Sequence, residues 1–378
     1  MTVQEILGAR ARAVGEAHAD ELTGLDEETA ARKALEVVAK AELTLWIVPE
    51  EYGGAHAEGL CPSDAVSVRA LCALRDELAY HHGLLDLMLV MQGLGSYAVA
   101  RGGSAQLRDD VLSSVACGDD VAAFALTEPD AGSSLGDVST QAKPKGGDWV
   151  LNGRKTFISN CGIARFYTVL ARTGGKVGDA DGLSMFFVPN DAWGLDVEPF
   201  EVLAPHPIGD VIFKDCEIPG AFLLGEEGQG MELALEVLAR FRTSVAAAAC
   251  GFARRALDES VAHLKERRQF GKPLARNQAL RFDVAEMDTR LRAAQLLVDE
   301  AAAAVDSGAK AVREVARAKL FATEAAGWIC DRAVQHFGGL GVKRGTVVER
   351  LYRDVRALRI YEGTSEVQKL ILARELFE

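Results

Sequence analysis

Only the stretch from about Asp120 to Leu224 has the texture of β-structure, with short runs of β-branched and aromatic residues broken by Gly, Asn and Pro. On both sides of it the apolar residues recur at three- and four-residue spacing, as in Ala34, Leu35, Val37, Val38, Ala41 and again in Val66, Ala70, Leu71, Leu74, Leu78. A chain with this pattern cannot be a single sheet fold or a single bundle. It predicts a mainly α protein with a central β domain: an N-terminal α-helical domain over 1–119, a middle β domain over 120–224 and a C-terminal α-helical bundle over 225–378. Turn chemistry at Pro49 to Gly54 interrupts the first block. In the last, the period predicts four helices over 229–266, 276–306, 310–337 and 364–377, and the short Asp306-Ser307-Gly308 loop suits antiparallel neighbours. In the middle block Asn152-Gly153 lies between Trp149–Leu151 and Arg154–Ile158 and predicts a hairpin turn, because Asn-Gly tolerates the positive φ angles of a tight turn. Phe166–Ala171, Leu183–Val188 and Val211–Lys214 read as further strands.

Charge and cysteine content narrow the function. A formal net charge of −13 repels a polyanionic backbone, and with no basic stripe to offset it nucleic-acid binding is not expected. Seven scattered cysteines with no paired spacing read as reduced thiols, and without Cys-x-x-Cys or clustered histidines no metal site is expected. Gly83–Ala100 is nearly long and apolar enough to span a bilayer, but Asp86 lies within it and no basic flank marks an end, so a core helix is expected and no membrane association. The start Met1-Thr2-Val3-Gln4 carries no secretory signal pattern, which points to the cytoplasm.

The most informative segment is Ile360-Tyr361-Glu362-Gly363-Thr364-Ser365-Glu366-Val367-Gln368. Ser365 and Gln368 have capping-box spacing, so a helix should begin here, with Glu362 and Gly363 in the loop before it. There a glycine lets a ligand approach the backbone closely. By itself the segment equally suits a solvated acid ahead of a helix N-terminus.

This segment resembles the C-terminal signature of acyl-CoA dehydrogenases. Leu126-Thr127-Glu128-Pro129-Asp130-Ala131-Gly132-Ser133 is similar to another signature of that family, Phe157-Ile158-Ser159-Asn160 stands where a Trp-x-Thr-Asn is usual, and Arg267-Arg268-Gln269-Phe270-Gly271 and Gln335-His336-Phe337-Gly338-Gly339 resemble its flavin motifs. The resemblance implies an FAD-dependent enzyme of the short- and medium-chain type. In it Glu362 abstracts the α-proton of an acyl-CoA thioester, the β-hydride goes to flavin N5, and the electrons pass to an electron-transfer flavoprotein. A carboxylate base for so weak an acid needs a dry site that lifts its pKa toward neutrality.

The resemblance further implies that Phe124, Leu126, Thr127, Gly132 and Ser133 line the isoalloxazine, with Phe157, Ile158 and Ser159 on the other side of the ring. It puts Arg267, Gln269, Phe270, Gln278, Gln335, Gly338 and Gly339 against the diphosphate and adenosine portion of a neighbouring subunit's cofactor, hence an oligomer, a homotetramer or a dimer. Thr364 and Glu366 would contact the cofactor too, with Thr364 capping the last helix. Substrate contacts are implied for Ser133, Arg242, Phe241, Tyr361 and Gly363. Phe241 holds the position where long- and branched-chain members carry their base, and a phenylalanine cannot serve, which leaves Glu362 without a rival.

Leu203–Asp210 is shorter than its family counterpart and lacks the usual Arg/Ser/Thr-containing run, so a carrier-protein-bound acyl or aminoacyl thioester is an alternative substrate, and an oxidase an alternative enzyme. His206, between two prolines in a stiff loop, reads as structural.

Overall fold

The computed structural model describes residues 1–57 and 59–377, with helices at both ends and a sheet between them. The first helical block holds α1 (Val3–His18), α2 (Glu27–Lys40), α3 (Val68–His81), α4 (Gly83–Gly102) and α5 (Ala105–Cys117). Their starts follow local chemistry. Thr2 and Glu5 form a reciprocal capping box on α1, while Asp26 and Ser104 accept backbone N–H groups at the starts of α2 and α5. Helix α4 is long and apolar enough to cross a membrane, and 89% of its most apolar window is buried within the protein.

The strands are β1 (Ala122–Ala125), β2 (Gln141–Lys145), β3 (Asp148–Ser159), β4 (Phe166–Arg172), β5 (Leu183–Pro189), β6 (Leu195–Pro199), β7 (Ile208–Ile218) and β8 (Leu223–Leu224). They form one sheet in the order β6-β7-β3-β2-β4-β5-β8, with β1 parallel to β4. The Asn152-Gly153 hairpin is not formed. Strand β3 runs straight through it, and the tight turn is Gly146-Gly147, both at positive φ (61° and 101°), joining β2 to β3. Asn152-Gly153 instead makes a bulge against β7, pinned by the Asn152 side chain, which accepts from Asp215 N (2.9 Å) and donates to its carboxylate (3.1 Å). Asn-Gly is thus used for its irregular backbone, while the pair of glycines six residues earlier matches the strand register. A Cβ on Gly153 would lie 2.4 Å from Thr140 Oγ1. Gly153→Ala should therefore destabilise the protein by about 1–3 kcal/mol, read as a lowered unfolding midpoint.

After the sheet come α6 (Gly230–Glu266), the short antiparallel pair β9 (Arg268–Gln269) and β10 (Lys272–Pro273), then α7 (Gln278–Asp306), α8 (Val312–Phe337), α9 (Val347–Arg356) and α10 (Ser365–Phe377). The sequence period predicts the first three long helices and the last; the ten-residue α9 is additional. It is mostly polar, with only Val348, Leu351 and Val355 buried, too short a stripe to stand out by periodicity.

By contacts the chain divides into two compact units: residues 1–19, 68–86 and 242–378 in one, 20–67 and 87–241 in the other. The first has a helical core in which Val245–Ala249, Ala253 and Ala256 of α6 pack with Ala294, Ala301 and Ala302 of α7 and Ala318, Ala322 and Ala326 of α8. Small residues let these helices approach closely. The second has a core on the sheet, built from Leu151, Tyr167, Val169, Phe186, Val211 and Phe213 among others.

Candidate active site

Glu362 sits in a short loop between helices that the backbone alone would not favour. After the turn Ala357–Arg359, the N–H groups of Ile360 and Tyr361 both return to Ala357 O (2.8 and 3.1 Å), and the chain then takes two left-handed residues in succession, Glu362 (φ 52°) and Gly363 (φ 92°). A left-handed Glu costs on the order of 1–3 kcal/mol and persists only where its surroundings hold it. Three side chains do so. Arg242 Nε donates to Glu362 O (2.7 Å), Lys319 Nζ to Gly363 O (2.6 Å) and Gln368 Nε2 to the same oxygen (3.0 Å). A Cβ on Gly363 would meet Gln368 Nε2 at 2.7 Å, so that position is sterically as well as torsionally a glycine. Helix α10 is capped by Thr364, whose Oγ1 accepts from Val367 N (3.3 Å). The Ser365–Gln368 capping box is not made, because Ser365 donates instead to Glu324 (2.6 Å) and Gln368 is spent on Gly363.

The Glu362 carboxyl has one oxygen, Oε2, sealed from solvent and without a hydrogen-bond partner among the described residues. Burial raises its pKa; Arg75, Arg242 and Lys319 pull the other way, and Asp86 adds to the rise. Arg75 offers less than a full charge, since it grips Asp86 through two bonds (2.6 and 2.8 Å) and donates to Ser244 Oγ (2.9 Å). The result is a carboxyl with one sealed oxygen, surrounded by cations that approach its backbone or are paired elsewhere. Tyr361 keeps 38% of its surface exposed beside it.

In the sheet unit, Leu126-Thr127 and Phe157-Ile158-Ser159 lie together. Thr156 N donates to Thr127 O (2.9 Å) and Lys155 Nζ to Leu126 O (2.9 Å). Phe157 lies in a second bulge of β3 and has φ 55°, which turns its ring outward, 61% exposed, with its edge against Phe200. Ile158 and Leu126 are buried, Phe124 and Thr127 are half-buried, and Gly132 and Ser133 are exposed. Ser159 Oγ lies 3.2 Å from His206 Nε2, and burial pushes that imidazole down to about 4, so at neutral pH it is an uncharged hydrogen-bond partner. Strand β7 begins at Ile208, so the segment 203–210 is loop only in its first five residues.

Phe241, expected at the substrate, is fully buried. It has no exposure, its ring stands edge-on to Tyr97 (5.7 Å between centroids), and a Cβ on Gly93 would lie 2.4 Å from it. Its ring fills the space a glycine leaves in α4.

In the helical unit, Arg267 precedes β9, Gln269 ends it and Phe270 follows in the β9–β10 turn, Gln278 opens α7, and Gln335, Gly338 and Gly339 lie at the end of α8, all exposed. Phe270 is left-handed (φ 50°) and 94% exposed. A Cβ on Gly338 or Gly339 would meet nothing within 4 Å. Glu366 is exposed on the first turn of α10, two residues past its cap.

Three acyl-CoA dehydrogenase domain models match the chain in order: the N-terminal domain over residues 3–119, the middle domain over 123–216 and the C-terminal domain over 228–377. The chain belongs to the acyl-CoA dehydrogenase family. It is 35% identical to the cyclohexane-1-carbonyl-CoA dehydrogenase of Geobacter metallireducens over 88% of this chain and 86% of that one. The solved butyryl-CoA dehydrogenase of Megasphaera elsdenii superposes with a TM-score of 0.91 at 29% identity, covering 100% of this chain and 99% of that one. A structure described as the FAD complex of PigA superposes with a TM-score of 0.89 at 26% identity, covering 100% and 98%. This acyl-CoA dehydrogenase is thus a flavoprotein oxidoreductase with FAD as cofactor.

Its residues fit that cofactor in each unit taken alone. The outward Phe157 ring beside the Leu126-Thr127 backbone offers an aromatic and amide surface for a flat ring system. The open Gly338-Gly339 pair, with the donors of Arg267, Gln269 and Gln335, supplies what a diphosphate needs. Sequence reasoning missed Lys319, Arg75 and Lys155. The available signals were single cations in apolar surroundings: Lys319 follows Ala318 and precedes Leu320 on an alanine-rich helix, and Asp86 marks a carboxylate in need of a partner.

Proposed function

We propose that this acyl-CoA dehydrogenase oxidises a CoA thioester at its α,β-bond, with Glu362 as the base, and passes the electrons to an electron-transfer flavoprotein. The observation that carries this reading is the sealed Oε2 of Glu362, unpartnered among the described residues, in a carboxyl whose pKa burial raises, on a backbone clamped by Arg242 and Lys319. A carboxylate whose proton affinity is raised by burial is a stronger base toward a thioester α-carbon than an exposed one. Bound FAD supplies the hydride acceptor for the β-carbon. The chain's share is alignment and charge. The Glu362 carboxylate takes the α-proton, its backbone N–H steadies the forming enolate oxygen, and Tyr361 and Gly363 border the acyl group. Arg242 acts through the Glu362 carbonyl, which its Nε already holds. The same reading places the enzyme in the cytoplasm as a homotetramer.

The test is anaerobic mixing of the FAD-loaded enzyme with a panel of acyl-CoA thioesters while the oxidised flavin band is followed. Bleaching by one acyl class, with reoxidation on adding electron-transfer flavoprotein, is the expected result. A flavin that no acyl-CoA bleaches but an acylated carrier protein does would move the substrate to the carrier-bound class.

A further inference from the structure

We infer that Lys319 is a positioning residue for the proton-transfer step: its buried ammonium, by holding the Gly363 carbonyl, fixes the left-handed Glu362–Gly363 backbone and sets the ionisation of the base. The inference rests on Glu362 as the base and deepens that reading.

Lys319 is on α8, with no exposed surface, in a helix whose neighbouring buried residues are Ala316, Ala318, Ala322 and Thr323. An ammonium taken out of water costs several kcal/mol unless its donors and its charge are answered. Among the described residues no carboxylate oxygen lies within salt-bridge distance of it; its hydrogen bond goes to Gly363 O at 2.6 Å. A methionine or leucine would fill this space among alanines at less cost, so packing does not account for a lysine here. What answers the charge is the carboxyl one residue before the carbonyl it holds.

The groups facing Glu362 come from four helices and its own loop. They are Arg75 on α3, Asp86 on α4, Arg242 on α6, Lys319 on α8 and Tyr361. Arg75 is bidentate to Asp86, and Arg242 points its Nε at the Glu362 carbonyl. Lys319 faces Glu362, with Arg242 opposing its charge and Glu324 and Glu366 farther along its surroundings. Burial pushes the Lys319 ammonium down to about 8 against the pull of Glu362, so the cation is itself not far from titration in the range where such an enzyme works. Removing a nearby cation raises a carboxyl's pKa, so the acid limb of kcat/KM, which reports the free enzyme's base, must move to higher pH.

The experiment compares wild type, Lys319→Gln, Lys319→Met and Lys319→Arg as FAD-loaded enzyme, with Glu362→Gln as a control for the base assignment. For each, flavin content, the thermal midpoint and the pH profile of kcat/KM are measured. Lys319→Gln keeps a donor for the Gly363 carbonyl and is expected to fold even if Lys319→Met does not. The expected result is an acid limb shifted upward by about one pH unit in the Gln and Met variants, with flavin still bound, and returned most of the way by Arg. An unmoved acid limb in folded, flavin-loaded Lys319→Gln overturns the inference. Retained turnover in Glu362→Gln would instead remove the base assignment, whatever the Lys319 variants do.

Discussion

Glu362→Gln should lower turnover by about 10⁴-fold while leaving FAD bound, and should at the same time make the protein more resistant to heat at pH 8. The first half follows from chemistry: an amide of the same shape keeps the loop and its clamps but cannot accept the α-proton. The second follows from the direction of the pKa shift. Burial holds Glu362 above its ordinary value of 4.5, so the folded state binds the proton more tightly than the unfolded chain does. Below about pH 4.5 both states are protonated and the shift contributes nothing; as pH rises through that value and on to the folded pKa, the ionised carboxyl destabilises the fold. Glutamine carries no such charge. Thermal unfolding of the two proteins at pH 4 and pH 8 should show midpoints that coincide at the lower pH and separate in favour of the variant at the higher. A variant less stable than wild type at pH 8 would mean that the cations around Glu362 outweigh its desolvation.

Lys155→Met should cost about 3–5 kcal/mol of stability and weaken FAD binding, the largest effect on stability expected from a single substitution here. Lys155 is fully buried in β3 and bonded to Glu128 (2.8 Å) and to Leu126 O (2.9 Å). Glu128 in turn accepts from Ser139 N and Oγ (2.8 Å each) and Thr140 N (2.9 Å). Burial pushes Glu128 up, but Lys155 and these donors outweigh it and hold the carboxyl down to about 2. The stability from this depressed pKa is fully present above the ordinary carboxylate value of 4.5 and is lost as pH falls through about 2. Methionine leaves the carboxylate buried without a cation and frees the Leu126 carbonyl, so the loop expected to face the flavin ring loses its anchor. The deficit should be large at pH 7, shrink by pH 3, and be largely recovered in Lys155→Met/Glu128→Leu, where no charge is left behind. Equal losses at both pH values would point to packing alone.

Much of the fold was legible because two kinds of signal repeat over many residues. Helical periodicity located α6, α7, α8 and α10 within a few residues, and β-branched runs located β4 and β5. Short elements carried no such redundancy. Helix α9 has three buried residues and escaped, and the Asn152-Gly153 turn was misplaced because the same dipeptide suits a bulge as well as a hairpin. Which of the two forms depends on whether Gly146-Gly147 already reverses the chain in register, a property of the pairing of β2, β3 and β7 rather than of the dipeptide.

The candidate site divides along the same line. The sequence by itself determined the order of helical and β blocks, the motifs that mark the family, and Glu362 as a carboxylate set in a loop before a capped helix, because each is written in contiguous residues. Only the tertiary structure decided that Phe241 is core, that Arg242 holds the Glu362 carbonyl, and that Lys319 and Arg75, distant in the chain, surround the base. A pKa and a left-handed backbone are set by which groups converge in space and how much water they exclude, and residues 75, 242, 319 and 362 meet only once α3, α6 and α8 have packed.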